Sequence, residues 1–518
     1  VDLISMVQNG AWWTFCAGSF TCFLTGCTYT FGAWSPALKD AFNYSQQQLG
    51  NLALAKDFGN FICMDAGLLT GRCGAHWTVA AGSLAMALSC WAIWASLTGK
   101  VPYILMILIF WLFGHSMGFC DNAGISTSVC NFPQHKGSAV GLMKALEGLT
   151  AAVLGMVFYT LFDAETSLSS YPLVLAGTAL FVGLVATPII ACTNAPAEEH
   201  GRVVSKKFSA LVVALLCYTV FCASVAYTKA YHIWTMVLAV VGLLCLFLLV
   251  LPLGPQISQT GPTGDNAVSP LPGQPSPAMD RPNLSAVEMM KTLDFYLVFC
   301  VFVSLQGAGI MVSNNFGQIV KAIKEDPHAE SGLYVTVFSV FSTSGRIFTG
   351  FGSESLKGKV NRPWLLAGSS LLMTAAMCVL NLGESMLAVV AACVGFSLGS
   401  TFALQAVVVE EIFGPRDMPL KYSCCFAAAF FGSLILGDLV AASVYDSEAS
   451  RQGRNVCLGY ACFEVTFDVA VVCCFLSCLS TVAVALRSRS TYRKLNHVRG
   501  GGLSEATIAM NPLDFEAN

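Results

Sequence analysis

The stretch Leu243-Leu-Cys-Leu-Phe-Leu-Leu-Val-Leu251 is an unbroken apolar run, and Leu211-Val-Val-Ala-Leu-Leu216 is another. The same character extends over the chain, because 55% of its 518 residues are hydrophobic and only 11% are charged. A soluble domain carries about 25% charged residues, since its surface faces water. Much of this chain therefore faces lipid, and the composition excludes an ordinary cytosolic enzyme.

Charge and cysteine content exclude further classes of protein. The formal net charge of −3 provides no basic field, so we expect no nucleic-acid partner. Most of the 22 cysteines lie in apolar runs, without zinc spacing, so we expect neither a metal nor a cofactor. The sequence shows no catalytic triad, phosphate-binding loop or metal motif, and we expect no enzymatic activity.

A membrane-spanning helix needs about 20 mostly apolar residues. By this measure we predict fourteen spans, which fall into groups of six, two and six along the chain. They lie near Ala11–Ser35, Gln47–Thr70, Thr78–Leu97, Pro102–Ser126, Ser138–Phe162, Tyr171–Ala191, Phe208–Tyr227, Ile233–Leu253, Lys291–Gly317, Gly332–Gly352, Trp364–Leu382, Met386–Glu410, Tyr422–Tyr445 and Ala461–Leu486.

The grouping of the spans predicts the domain organisation. Residues 1–191 form an N-terminal six-helix bundle, 192–253 two additional spans, and 291–486 a C-terminal six-helix bundle. Residues 254–290 are rich in Pro, Gly, Ser and Gln, which indicates a linker, and 487–518 form a tail.

The distribution of Lys and Arg predicts the orientation of the chain. One set of loops, with the tail, carries 17 of the 27 cations, whereas the opposite loops carry 7. The cation-rich side is cytosolic by the positive-inside rule, so we expect both termini and the linker in the cytosol. Asn43 begins an Asn-Tyr-Ser sequon on the other side and is a candidate glycosylation site. The sequence does not distinguish the plasma membrane from endomembranes.

Corresponding loops of the two halves carry related motifs. The stretch Gly67-Leu-Leu-Thr-Gly71-Arg72-Cys73-Gly74-Ala75-His76 resembles the G-x-x-x-D-R-x-G-R signature of major facilitator transporters, with Gly71 in place of the acid. In the second half, Gly345-Arg346-Ile-Phe-Thr-Gly350-Phe-Gly352-Ser353-Glu354 retains an acid. Two six-span halves joined by a cytosolic linker are also the organisation of that superfamily.

A more specific resemblance covers both halves. Asn131-Phe132-Pro133, Lys136-Gly137 and Val140-Gly141-Leu142-Met143-Lys144 in the first half, with Ser344-Gly345-Arg346 and Cys457-Leu-Gly459-Tyr-Ala-Cys462-Phe463 in the second, resemble the nodulin-like family of major facilitator proteins. The resemblance implies an all-α polytopic membrane protein with two six-helix bundles. A more distant likeness to oxalate/formate exchangers and monocarboxylate carriers implies a small organic anion as cargo.

Arg346 is the strongest candidate for contact with an anion. It lies about 9 Å inside its span, and a guanidinium offers a planar, permanently charged fork suited to a carboxylate. The monocarboxylate-carrier pattern has an acid four residues earlier, where this chain has Ser342. The alternative is a structural cation that holds the cytosolic loop of its own half.

Further charges inside spans are candidates for gating or proton coupling. Lys144 and Glu147 share a helix face, and Glu147 is placed to meet Arg346 if the two helices face each other. Such a pair would form a cytosolic gate; the alternative is a Lys144–Glu147 pair within one helix. Asp57 is a conceivable proton carrier or, alternatively, part of a helix contact.

Polar residues on helices that usually line the cavity of this fold complete the candidate substrate site. They are Tyr29, Asn122, Gln306 and Asn315. Cys457 and Cys462, on the non-cytosolic side, are candidates for a disulfide because Gly459 between them permits a sharp turn; two reduced thiols are the alternative.

These features together predict a secondary active transporter that moves a small organic solute, such as a monocarboxylate, by alternating access. We expect its partners to be that solute and the lipid bilayer, and we expect a monomer. The alternative is a polytopic membrane sensor or scaffold that does not transport, which the lost acid at Gly71 and the absent acid at Ser342 favour.

Overall fold

The computed structural model describes residues 10–31, 34, 38, 41–44, 46–161, 170–191, 201–228, 230–248, 282–327, 329, 332–380, 383–454, 456–493 and 495. Within these ranges every regular element is a helix, as the apolar composition predicts. Most of the predicted linker and most of the tail lie outside the described residues.

The described residues of the N-terminal half contain seven α-helices. They are α1 (Ala11–Thr25), α2 (Gln46–Phe61), α3 (Met64–Cys73), α4 (Ala75–Gly99), α5 (Tyr103–Asn131), α6 (Lys136–Leu161) and α7 (Tyr171–Ala186). Two further helices, α8 (Gly201–Thr228) and α9 (Ile233–Leu248), correspond to the predicted additional spans.

The C-terminal half begins with the short α10 (Ala286–Met290), which Ser285 caps. It continues with α11 (Leu293–Lys324), α12 (Gly332–Ser355), α13 (Arg362–Val379), α14 (Leu387–Phe413), α15 (Met418–Phe426), α16 (Ala428–Gly432), a π-helix (Ser433–Ala442), α17 (Ser443–Arg451) and α18 (Glu464–Arg487).

Each of the fourteen predicted spans overlaps at least one of these helices. In the described part of the chain, 8 helical stretches are by themselves long and apolar enough to cross a membrane, and two shorter apolar helices, Tyr171–Ala186 and Ile233–Leu248, accompany them. The all-helical, multi-pass architecture agrees with the expectation, whereas the total of fourteen spans stays a prediction.

Three predicted spans are irregular helices in the described part of the chain. The first changes from an α-helix to a 3-10 helix over Gly26–Thr30, the segment that carries Tyr29. The second span is interrupted between α2 and α3, where the His115 ring contacts both the Gly59 carbonyl oxygen, at 3.2 Å, and the Asp65 carboxylate, at 2.8 Å. The thirteenth changes from α- to π-helix over Ser433–Ala442. The π-helical stretch keeps an apolar composition, so hydropathy alone gives no sign of it.

Glycines bring α6 of the first half against α12 of the second. A Cβ atom added at Gly141 would lie 2.8 Å from the Gly350 Cα, and one added at Gly148 would lie 2.3 Å from an Arg346 guanidinium nitrogen. A larger side chain at Gly141 would push the two helices apart, and one at Gly148 would displace the Arg346 guanidinium. This close approach positions the residues of the candidate site.

The additional helices α8 and α9 pack beside the same pair of helices. Phe208 of α8 lies in an aromatic cluster with Trp12, Phe15 and Phe132, with ring centroids 5.0 to 5.6 Å from it. Helix α8 contacts both α6 and α12, and α9 contacts α6. The aromatic cluster therefore attaches α8 to the first half, while α8 also covers the junction with the second half.

Candidate functional site

Ion pairs join the two halves at the end that the cation distribution predicts to be cytosolic. Lys136, which begins α6, pairs with Glu410 of α14, and its ammonium lies 3.9 Å from Glu411. The backbone N–H of Gly137 donates to the Glu354 carboxylate at 2.7 Å. Arg362 in turn pairs with both Glu354 and Glu411. The molecule is therefore closed at this end.

Arg346 meets the first half deeper in the molecule. Its guanidinium donates to the Tyr29 hydroxyl at 3.0 Å and lies 3.9 Å from the Glu147 carboxylate. The Tyr29 hydroxyl donates to Glu147 at 3.3 Å and so bridges the two charges. Arg346 is 1% exposed and Glu147 3% exposed, so neither charge is in contact with bulk water. The structure brings together the predicted gate residues and one of the predicted substrate residues.

Lys144 extends this contact into the first half. Its ammonium lies 2.8 Å from Glu147, in the pair within one helix that the sequence offered as an alternative, and 2.7 Å from Asp121 of α5. Asp121 also accepts a hydrogen bond from the Tyr422 hydroxyl of α15, at 2.7 Å. We call Asp121, Lys144, Glu147 and Arg346 the central charge cluster. The two oxygens of Glu147 face different cations, Lys144 and Arg346, and the role of Glu147 in a gate stays a prediction.

The central charge cluster is balanced in charge and enclosed by aromatic rings. Two cations face two carboxylates, and all four residues are at most 3% exposed. The Lys144 ammonium lies 5.1 Å from the ring centre of Phe426, and the Arg346 guanidinium 5.5 Å from that of Phe402. Such rings stabilise a cation through their electron-rich faces. Arg346 is thus a paired cation, which the sequence had left open.

Two polar atoms beside Arg346 remain unsatisfied. The Nε of Arg346 and the Oγ1 of Thr343 are buried and make no hydrogen bond to any described residue. Tyr29, which contacts the same guanidinium, is 37% exposed. A buried donor without a partner is unfavourable, so these atoms offer unused hydrogen-bonding capacity next to an accessible side chain.

The other predicted substrate residues lie apart from Arg346. Asn122 donates to the Pro419 carbonyl oxygen at 2.7 Å and to the Ser423 hydroxyl at 2.8 Å, so it joins the two halves. Gln306 donates to Gln405 at 2.9 Å inside the second half. Asn315 donates back to the Met311 carbonyl oxygen of its own helix at 2.9 Å. In this closed arrangement all three bind the protein itself, and their contact with cargo stays a prediction.

Asp57 pairs with its neighbour in the sequence. The Lys56 ammonium lies 3.1 Å from the Asp57 carboxylate and 2.8 Å from the Thr28 hydroxyl. Asp57 is 6% exposed and also interacts electrostatically with Asp438 of the second half. It lies at the contact between halves but outside the central charge cluster, and its role in proton coupling stays a prediction.

The candidate modification residues lie away from these contacts. The sulfur atoms of Cys457 and Cys462 are bonded, with their Cα atoms 5.9 Å apart, and Gly459 between them has a φ of +94°, which favours glycine. Asn43 is exposed, with a φ of +53°, while the Ser45 of its sequon lies outside the described residues. Both assignments await a chemical test.

Asp121 and Tyr422 were missed in the sequence. A carboxylate inside a span is costly unless paired, so Asp121, in the fourth predicted span, carried the same signal as Arg346. Tyr422 carried no signal, because tyrosines are common at span ends and its partner is 301 positions away in the sequence.

Solved structures with a similar fold define the class of protein. The chain aligns with the proton:xylose symporter XylE, with a TM-score of 0.58, 11% identity, and coverage of 93% of this chain and 96% of that one. It also aligns with the transporter FucP in an outward conformation, with a TM-score of 0.53, 13% identity, and coverage of 91% and 98%. The chain has the major facilitator fold.

Sequence comparisons then define the family. The nodulin-like family model matches residues 11–256, and the model of the NFD4 C-terminal domain matches residues 283–494. The chain therefore belongs to the nodulin-like family of the major facilitator superfamily.

Curated relatives agree with this assignment. Protein NUCLEAR FUSION DEFECTIVE 4 of Arabidopsis thaliana is 23% identical over 91% of this chain and 88% of its own length. A probable transporter MCH1 of Yarrowia lipolytica is 31% identical over 34% of this chain and 38% of its own length. Fold and relatives together indicate an integral, multi-pass membrane transporter.

Proposed function

We propose that this protein is a secondary active transporter that moves a small organic anion, such as a monocarboxylate, by alternating access. The observation that carries the proposal is the position of Arg346. It is a permanently charged residue on the second half that meets Glu147 and Tyr29 of the first half, and its Nε has no partner among the described residues. A carboxylate at this place would accept from both the unused Nε and the fork of the guanidinium.

The contacts support a defined sequence of events. The anion approaches past Tyr29, whose side chain is partly exposed, and competes with Glu147 for Arg346. Because Arg346 and Glu147 belong to different halves, replacement of that ion pair weakens one of the contacts that hold this end closed. The halves then separate at this end, and the anion leaves there, on the side of the membrane opposite to the one from which it came.

Uptake into liposomes tests the proposal. The purified protein is reconstituted, and a panel of radiolabelled organic acids, sugars and amino acids is offered. We expect uptake of one or more small carboxylates. Uptake of none of the compounds would contradict the proposal and favour a sensor or scaffold that does not transport.

Variants of Arg346 test the site within the same assay. We expect Arg346→Gln to abolish uptake and Arg346→Lys to impair it, because lysine keeps the charge but loses the planar fork. A charge-assisted hydrogen bond contributes about 1.5–3 kcal/mol, which corresponds to about a 10- to 100-fold loss of affinity. Arg451→Gln is the matched control, since the Arg451 side chain is 78% exposed. Normal uptake by folded Arg346→Gln protein would contradict the assignment.

A further inference from the structure

An anion at Arg346 would disturb the charge balance of the central charge cluster. The cluster holds the charges of Lys144 and Arg346 against those of Asp121 and Glu147, and it sums to zero. A bound monocarboxylate would make the total −1 in a place where the four residues are at most 3% exposed. An uncompensated charge there is strongly unfavourable, so one positive charge must enter with the anion.

A bound anion would remove contacts from Glu147 but not from Asp121. Glu147 would lose its contact with Arg346, now 3.9 Å away, and compete for the Tyr29 hydroxyl, now at 3.3 Å. Asp121 would keep its bonds to Lys144 and Tyr422, both at 2.7 Å. Glu147 would then keep Lys144, at 2.8 Å, as its cation. The carboxylate that loses contacts is the better proton acceptor, since ion pairs and donated hydrogen bonds favour the charged form.

The groups that face Glu147, the proposed proton acceptor, come from both halves of the molecule. On its own helix it faces Lys144; from the N-terminal elements it faces Tyr29 and, through electrostatic interaction, Cys22. Asp121 of α5 interacts with it as a like charge. From the second half it faces Arg346 of α12 and the Tyr422 hydroxyl of α15.

Resting on the proposed function, we propose that Glu147 takes up one proton when the anion occupies Arg346, so that the anion and the proton cross the membrane together. The proton comes from the water on the side of entry and forms a neutral carboxylic acid at Glu147. After the anion has left on the other side, Arg346 pairs again with Glu147 and the proton leaves to water. The cluster is neutral before and after, and the complete step moves no net charge.

Liposomes with imposed gradients test the coupling on the wild-type protein. Radiolabelled lactate and pyruvate serve as probes, the membrane potential is clamped, and uptake is measured above that of protein-free liposomes. An inward proton gradient of about one pH unit should support about tenfold accumulation at equilibrium. Changing the clamped potential should leave the initial rate unchanged. Uptake that ignores the proton gradient, or that follows the potential, would overturn the coupling.

Variants test Glu147 as the acceptor. In Glu147→Gln the ratio of uptake with and without the proton gradient should fall to about one, whatever the absolute rate. Glu384→Gln removes the same charge at a side chain that is 59% exposed just before α14, and it should keep the wild-type ratio. A wild-type ratio in Glu147→Gln would overturn the assignment.

The same experiment separates the two proposals. No uptake of either probe by the wild-type protein would contradict transport of monocarboxylates, and the coupling with it. Uptake without any response to pH would contradict the coupling alone. The wild-type measurement does not depend on the folding of any variant.

Discussion

Lys144 is the residue on which the stability of the central charge cluster depends most. Its ammonium lies within 2.8 Å of both Asp121 and Glu147. We expect Lys144→Met to lower the free energy of unfolding by about 3–5 kcal/mol, because it leaves two buried carboxylates side by side. Thermal unfolding in detergent measures this loss.

A second substitution separates the loss of charge balance from the loss of packing. Adding Asp121→Asn to Lys144→Met removes the excess negative charge and should restore part of the stability. Lys100→Met, at an exposed lysine, is the control and should have little effect. A double variant as unstable as Lys144→Met alone would show that packing, not charge, dominates at this position.

Single residues show how far the sequence could predict the site. Arg346, Glu147 and Tyr29 could be placed together, because charges inside spans must find partners and this fold sets its helices in a known order. Their actual arrangement, with Tyr29 between the two charges, depends on side-chain directions that spacing does not give. Contact of Asn122 with cargo stays a prediction, and its hydrogen bond to the Pro419 carbonyl oxygen in the closed arrangement could not be predicted from spacing.

At the scale of elements, the contact of α6 with α12 determines whether the molecule can close. We expect Gly350→Leu to prevent closure and to lower uptake strongly, because a Cβ there would already lie 2.7 Å from the Gly137 carbonyl oxygen and the Gly141 Cα. Gly352→Leu is the matched control on the same helix, since nothing lies within 4 Å of its Cβ position. Equal uptake by both variants would contradict this account.

The loop before α18 carries its own prediction. Because the sulfur atoms of Cys457 and Cys462 are bonded in the structure, neither should react with an alkylating reagent in protein from intact membranes, and both should react after reduction. Mass spectrometry of the tryptic peptides measures this. The bond closes a short loop, so its removal should cost only about 1–2 kcal/mol. Quantitative labelling without reductant would exclude the bond and weaken the assigned sidedness.

The elements also show where hydropathy stops being informative. Helix existence followed from the apolar runs, because lipid leaves the backbone no other partner than itself. The break between α2 and α3 did not follow from the apolar runs. It depends on His115, which lies 50 positions from Asp65 in the sequence and contacts it at the break. The π-helix over Ser433–Ala442 keeps the same composition as an α-helix and leaves no trace in the sequence.

At the scale of the whole molecule, the ion pairs at the closed end join one half to the other. Lys136→Glu should disfavour closure, because it places a third carboxylate beside Glu410 and Glu411. We expect uptake to fall about tenfold, and hydrogen–deuterium exchange around Lys136 to rise.

Exchanging the two charges provides the control. Lys136→Glu combined with Glu410→Lys keeps one cation and one anion at the contact, and it should recover a large part of the uptake. Glu411 remains paired with Arg362 in either case. A double variant no better than Lys136→Glu would show that the position of the charges matters beyond their sum.

The attachment of α8 to both α6 and α12 has a consequence for the route of the cargo. On that flank protein separates the junction between the halves from the lipid acyl chains. A compound dissolved in the bilayer therefore has no lateral access to the junction there. Cargo on this flank must arrive from water and along the membrane normal. Lipophilic compounds that partition into the membrane should therefore compete poorly with the cargo from this flank, even if their head groups fit the Arg346 guanidinium.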